Sequence, residues 1–216
     1  MNHLPLRSLT GLAQVRRPTQ RALAKQRTRE KILASAKSLF TEKGYEGATI
    51  RDIAAAAGMS TGAVFASFTD KSDLFNEIIG ADRDNLFETM RNEAVGANAE
   101  EALNAMFDAG YRFTLADLPL LQATMSVSWS PDLGAQVRGR LNRRPITELI
   151  AEVLTSSMER GELGKNTDVA LIAQMLWDSY LSNFRHAAFE GWGLSELRSR
   201  LADQIRVILA GAKAAG

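Results

Sequence analysis

The sequence predicts an all-α chain of two unequal parts, an N-terminal unit of short helices and a larger C-terminal unit of long ones. Three observations carry that prediction. Apolar residues recur at intervals of three and four along most of the chain, which is the spacing of a helix face. β-Branched residues form few runs, and only 5 prolines interrupt 216 residues. Helix-capping side chains (Thr49, Ser60, Asp70) stand directly before periodic segments, and Gly44 and Gly58 stand where such segments end.

The first helix begins near Lys25 and turns Ile32, Leu33, Ala36, Leu39 and Phe40 to one side, with Gly44 placed for a left-handed cap. Thr49, with Asp52 three residues on, opens a helix of barely two turns whose inward residues are Ile50, Ile53 and Ala54. Ser60 caps a third helix with Val64 and Phe68 inward, and Asp70 caps a fourth that starts at Lys71 and includes Leu74, Phe75, Ile78 and Ile79. Beyond Gly80 the expected helices lengthen, near 81–93, 99–116 and 118–128. Ser130-Pro131 and Arg144-Pro145 read as two further starts, the second because proline disfavours helix at the residue before it. That helix carries Ile146, Leu149, Ile150, Val153, Leu154 and Met158, and Gly161 and Gly164 bracket the turn after it. Helices near 167–190 and 195–212 close the chain. With no repeat or low-complexity linker in between, the two parts are expected to meet through the fourth helix.

Composition narrows the chemistry. Without cysteine there is no disulfide, thiol nucleophile or zinc–thiolate site, and His3 and His186 make no metal cluster; no cofactor is expected. Nor is there a Gly-rich phosphate loop or a nucleophile elbow, so an enzyme is not expected. The first fifteen residues are too broken by Asn2, His3, Pro5, Arg7 and Ser8 for a secretory signal, and nowhere do about 18 apolar residues run together to span a membrane. The expectation is a cytoplasmic protein. Its net charge of +1 hides an asymmetry: the first 31 residues hold eight bases against Glu30, a net of +7, and the remainder is −6. A basic arm over residues 1–24 on a mildly acidic body suits a chain that offers one end to a polyanion.

The segment from Thr49 to Lys71, TIRDIAAAAGMSTGAVFASFTDK, reads as a helix, a tight turn and a second short helix. Ala54 to Ala57 are small enough for two helices to cross closely, and Gly58 permits the turn. The outward positions Thr61, Gly62, Ala63, Phe65, Ala66 and Ser67 are slim enough for the second helix to lie deep in a major groove about 12 Å wide.

From Arg29 to Phe75 the chain resembles the tetracycline-repressor (TetR) family of bacterial transcription regulators, through Leu39-Phe40, Gly44, Thr49, Ile53-Ala54, Ala57-Gly58, Ser60, Phe68, Lys71 and Leu74. The resemblance implies a helix-turn-helix DNA-binding domain over 25–72 and an effector-binding and dimerisation domain over 73–216. It implies that Thr49 binds a DNA phosphate, with Arg51 placed for phosphate or base contact, that Ser60 to Ser67 form the recognition helix, and that Lys71 binds phosphate at the start of the fourth helix. The chain departs from the family at Phe65, usually tyrosine, and at Ser67, often histidine or tyrosine. Phe65 cannot donate to a phosphate, a loss of about 1 kcal/mol per subunit. Arg16, Arg17 and Arg21 are expected to offset it along the backbone or in the minor groove, and Lys25 and Arg27 are further expected DNA contacts.

One recognition helix discriminates too few base pairs to find a genomic site, so two heads and a palindromic operator are expected. Leu197, Leu201, Ile205, Ile208 and Leu209, at nearly heptad spacing on the last helix, are the expected homodimer surface, formed by the last two helices of each subunit. The resemblance implies the same arrangement, and an inducer pocket among the remaining helices. Its expected lining is Phe87, Met90, Met106, Phe113, Met125, Trp129, Gln174, Trp177, Tyr180 and Phe184, with Gln122, Asp178 and Asn183 as further polar groups, for a small, mostly apolar effector. His186 is expected to be structural. Effector binding would release the operator by moving the fourth helix. The competing reading keeps the DNA-binding head but gives the helical domain a protein partner.

Overall fold

The computed structural model describes residues 19–129 and 144–214. Among these residues every regular element is a helix: α1 (Gln20–Gly47), α2 (Ile50–Ala56), α3 (Thr61–Phe65), α4 (Lys71–Glu93), α5 (Ala99–Leu115), α6 (Leu118–Trp129), α7 (Arg144–Glu159), α8 (Val169–Glu190) and α9 (Leu194–Ala214). The helix start expected at Ser130-Pro131 lies outside the described residues.

Two boundaries differ from the sequence reading. α1 begins at Gln20, five residues early, because Thr19 caps it by accepting from the Ala22 amide at 3.2 Å. Arg21 therefore sits on a helix and not in an arm. α4 runs unbroken through Gly80, where a glycine in a helix costs only about 1 kcal/mol and the flanking apolar face continues. At Gly44 the φ of 70° turns α1 off its helical path, as expected of that glycine.

Two hydrophobic cores result. The head core gathers Ile32, Leu39, Phe40, Ile53, Val64, Phe68, Leu74 and Phe75, and it extends to Leu120, Ala123 and Val127 of α6. The body core gathers residues of α5, α7, α8 and α9 and takes Met90 from the far end of α4. α4, a rod of roughly 35 Å, thus belongs to both. A polar cluster sits at the junction: Lys37 of α1 approaches Asp82 of α4 at 3.4 Å and Asp117, just before α6, at 3.3 Å, and the Thr41 hydroxyl donates to Asp117 at 3.2 Å. Burial pushes the Asp82 carboxyl above its ordinary range, Lys37 opposing and Asp117 adding to the shift.

The stripe expected to form the dimer surface faces inward. Leu197, Leu201, Ile205 and Leu209 are at most 2% exposed, packed in the body core of their own subunit, with Ile208 partly buried against it. Heptad spacing specifies a buried helix face without specifying whose helix covers it, and here α5 and α8 do. The outward faces of the last two helices carry other apolar groups: Leu171 (56% exposed), Met175 (45%) and Phe189 (81%) on α8, and Val207 (70%) on α9.

An aromatic cluster centres the described part of the body core. Tyr180 stacks on Tyr111 and Trp177 with ring centroids 4.7 and 5.2 Å apart, and meets the Phe107 and Phe184 rings at 5.3 and 5.1 Å. Its hydroxyl shares a hydrogen bond with Thr114 at 3.1 Å. Asn183 donates to the Tyr111 hydroxyl at 3.1 Å and to Gln204 at 2.8 Å. Burial raises both tyrosine pKa values.

Candidate nucleic-acid interface

The helix-turn-helix is assembled from its ends inward. Thr49 caps α2 by accepting from the Asp52 amide at 3.1 Å, and its hydroxyl donates to the Asp52 carboxylate at 2.7 Å. That bond, aided by Lys43 and Arg51, holds the Asp52 carboxyl below its ordinary range. The Thr49 hydroxyl proton is therefore engaged within the head. Gly58, with φ 65°, makes the turn. Ser60 then caps α3 by accepting from the Ala63 amide at 3.3 Å. Val64 and Phe68 are buried, and Ser60, Thr61, Gly62, Phe65 and Ala66 are exposed, with Ala63 and Ser67 half-buried. The sequence reading placed a helix over Ser60 to Ser67; α3 itself ends at Phe65, with Thr61, Gly62 and Phe65 outward on it.

Two cations hold α3 and α4 against α1. The Arg29 guanidinium donates to the Ser67 carbonyl at 2.5 Å and to Glu77 at 3.1 Å, pairs a second time with Glu77, and lies 4.1 Å from the centroid of the Phe68 ring. Lys71 donates to the carbonyls of Tyr45 and Ala48 at 2.9 and 3.1 Å and sits 4.2 Å from the Tyr45 ring centroid. Two of its three donors thus serve the head itself, leaving one for any phosphate. Arg29 was not singled out from the sequence, where it lies in a run of bases; its partners are 38 and 48 residues away, and nothing local marks it.

Arg21, Lys25, Arg27 and Arg51 are exposed. No acid occupies the first turn of α1. Arg21 and Lys25 near that end oppose the helix dipole, a placement that an external anion compensates. Arg16 and Arg17 lie outside the described residues.

The head matches the sequence profile of "Bacterial regulatory proteins, tetR family" over residues 32–78. The same chain aligns along most of its length with the transcriptional repressor AcnR of Corynebacterium efficiens, 24% identical over 182 residues covering 83% of this chain and 93% of that protein. The head is that of the TetR family. Within its head the transcriptional repressor BepR of Brucella suis is 45% identical over 56 residues, 26% of this chain and 27% of that protein. KstR2 of Rhodococcus jostii, also a transcriptional repressor, is 27% identical over 173 residues, covering 75% and 80%. Among solved structures, the regulator FadR of Bacillus subtilis in complex with stearoyl-CoA superposes with a TM-score of 0.71 at 19% identity, covering 84% of this chain and 98% of that one. SmeT, repressor of a Stenotrophomonas maltophilia efflux pump, gives 0.67 at 22%, covering 87% and 91%. These two share the fold of this chain across head and body together.

Within the body, the residues expected to line a pocket fall into three groups. Met90, Met106, Trp177, Tyr180 and Phe184 are buried against one another and their neighbours. Phe87, Phe113 and Met125 are partly exposed, and the Trp129 side chain lies outside the described residues. Gln174 is half-buried on α8 and donates to the exposed Asp178 at 2.8 Å. Asn183 is committed to the network described above, and Gln122 faces a cleft of about 440 Å³ between α6 and residues 40–46. His186 stacks on Trp192 with centroids 4.3 Å apart and hydrogen-bonds Glu190 at 2.8 Å, which is a structural role.

Proposed function

We propose that this protein is a cytoplasmic repressor of the TetR family that binds a palindromic operator as a homodimer and is released by a small, mostly apolar effector. The observation that carries the reading is the assembly at one end of the molecule: α3 presents an acid-free outward face, and exposed bases lie on α1 and α2. In this reading 25–72 with the start of α1 is the DNA-binding domain, and the bulk of 73–216 is the effector and dimerisation domain. Arg51, the third donor of Lys71 and the Thr49 hydroxyl, once its proton leaves Asp52, meet phosphates, α3 enters the major groove, and Arg16, Arg17 and Arg21 follow the backbone.

The last two helices remain the proposed dimer surface, through the opposite face from the one expected. On α8 the exposed residues Leu171, Met175, Asp178, Ser182, Arg185 and Phe189 alternate at four and three residues, a seam suited to a facing helix. Val207 continues it on α9. An isologous four-helix contact would cover these side chains.

Effector action follows from the shared rod. Met90 at one end of α4 packs in the body core and Leu74 and Phe75 at the other pack in the head. Among the described residues the aromatic cluster is close-packed, so a ligand that enters it must displace rings and, with them, the end of α4. FadR, with its stearoyl-CoA, offers a precedent for ligand binding in this fold. A second reading keeps the DNA-binding head and gives the body a protein partner, for which the exposed Leu171, Met175 and Phe189 of α8 would be available.

The test uses the full chain. Light scattering should give a dimer, which F189E with V207E converts to a monomer, and DNA from around its own gene should be bound with a steep salt dependence. Removing residues 1–18, before the Thr19 cap, should reduce that slope. A lipophilic compound panel should raise the melting temperature and lower DNA affinity. A monomer indifferent to DNA would overturn the reading; DNA binding with no compound response would move the body to the second reading.

A further inference from the structure

The outward face of α3 holds none of the side chains that form bidentate hydrogen bonds with purine edges. From Ser60 to Phe68 there is no Arg, Lys, Asn, Gln, Asp or Glu. The Ser60 oxygen already accepts from the Ala63 amide. Beyond the Thr61 hydroxyl, what the helix offers outward is apolar. Phe65 leaves 56% of its surface exposed while Val64 and Phe68 on either side do the packing. Gly62 and Ala66 are exposed on the same short helix and its end, as are Ala55 and Ala56 at the end of α2. A phenyl ring has no donor for a phosphate, so at this position it serves no backbone contact. In the major groove the apolar group that a ring can meet is the 5-methyl of thymine.

Resting on the reading that α3 enters the major groove, we propose that Phe65 reads the operator by packing against a thymine methyl group, selecting a T·A pair by apolar contact. The neighbouring Gly62 and Ala66 let the ring approach without a competing side chain. Sequence choice by α3 is then directed to methyl groups, while the bases on α1 and α2 supply affinity through phosphates.

Duplexes selected by the full-length protein from a randomised library provide the probe. Each thymine is replaced in turn by deoxyuridine, which keeps every hydrogen-bonding group and removes only the methyl; each guanine is replaced in a parallel series by 7-deazaguanine, which removes N7. We expect one symmetry-related pair of thymines at which deoxyuridine weakens binding, roughly fourfold per half-site and about fifteenfold for both, the scale of one buried methyl group. F65A should abolish that sensitivity without lowering the melting temperature, because the ring is exposed, and F65L should retain part of it. Uniform tolerance of deoxyuridine, with losses only at 7-deazaguanine, overturns the inference and leaves DNA binding standing. A protein that selects no duplex overturns the underlying reading instead.

Discussion

In the head, helix ends are fixed by caps and two cations; in the body, five aromatic rings from α5 and α8 fill the space between helices. The difference shows in how each region meets its neighbours. Arg29 and Lys71 reach backbone carbonyls across the head, so the angle of α3 depends on charged hydrogen bonds at its rim. Phe107, Tyr111, Trp177, Tyr180 and Phe184 touch ring to ring, so the body depends on volume. A DNA reader needs a rigid, solvent-facing edge, and a coupled body needs an interior that cannot change locally without moving something else.

Substitutions can break that contrast. Tyr180→Ala, at a fully buried position, should cost about 3–5 kcal/mol in chemical denaturation; a loss under 1 kcal/mol would mean that the cluster is not volume-limited. Gly110→Ala tests the same packing from the other side. A methyl there would lie 2.9 Å from the Tyr180 hydroxyl and 3.2 Å from the Met90 sulfur, so overpacking of about 1–3 kcal/mol is expected. In the head, Arg29→Met keeps the stem and removes the hydrogen bonds to Ser67 and Glu77. With both side chains about a third exposed, the cost should be about 1–2 kcal/mol, and DNA affinity should fall with it. Ser60→Ala deletes one cap and should cost about 1 kcal/mol, measured by the same denaturation.

The smallest effect concerns the junction. Because burial raises the Asp82 pKa in the folded state, the ionised group opposes folding at neutral pH and the opposition fades as it protonates. Asp82→Asn should therefore raise the melting temperature slightly at pH 7, and the gain should vanish on acidification to about pH 4. An equal gain at both pH values would show that charge is not the cause.

The head was legible in the sequence almost residue by residue because its determinants are local. Thr49, Ser60 and Asp70 cap the helices they precede, Gly44 and Gly58 take the positive φ expected of them, and Val64 and Phe68 face inward. Among the described residues the body was legible in its helices and their approximate bounds, not in partnership. The periodicity of Leu197 to Leu209 shows a buried face, but the covering residues lie on α5 and α8, and no pattern within α9 names them. Arg29, Lys37 and Asp117 escaped for the same reason, since their partners are distant in the chain. Gln174 and Asn183 looked equivalent on α8, yet the half-buried Gln174 bonds its own helix at Asp178 while the buried Asn183 holds Tyr111 and Gln204.

The inclusion of Leu120, Ala123 and Val127 in the head core has a practical corollary. A fragment cut after residue 72, or even after the end of α4, would lay bare the side of Leu39 and Phe40's cluster that α6 normally shields. Transplanting the reader onto another regulator therefore means carrying a strip from some fifty residues downstream along with it, and chimaeras joined at the seam visible in the sequence should be prone to aggregate.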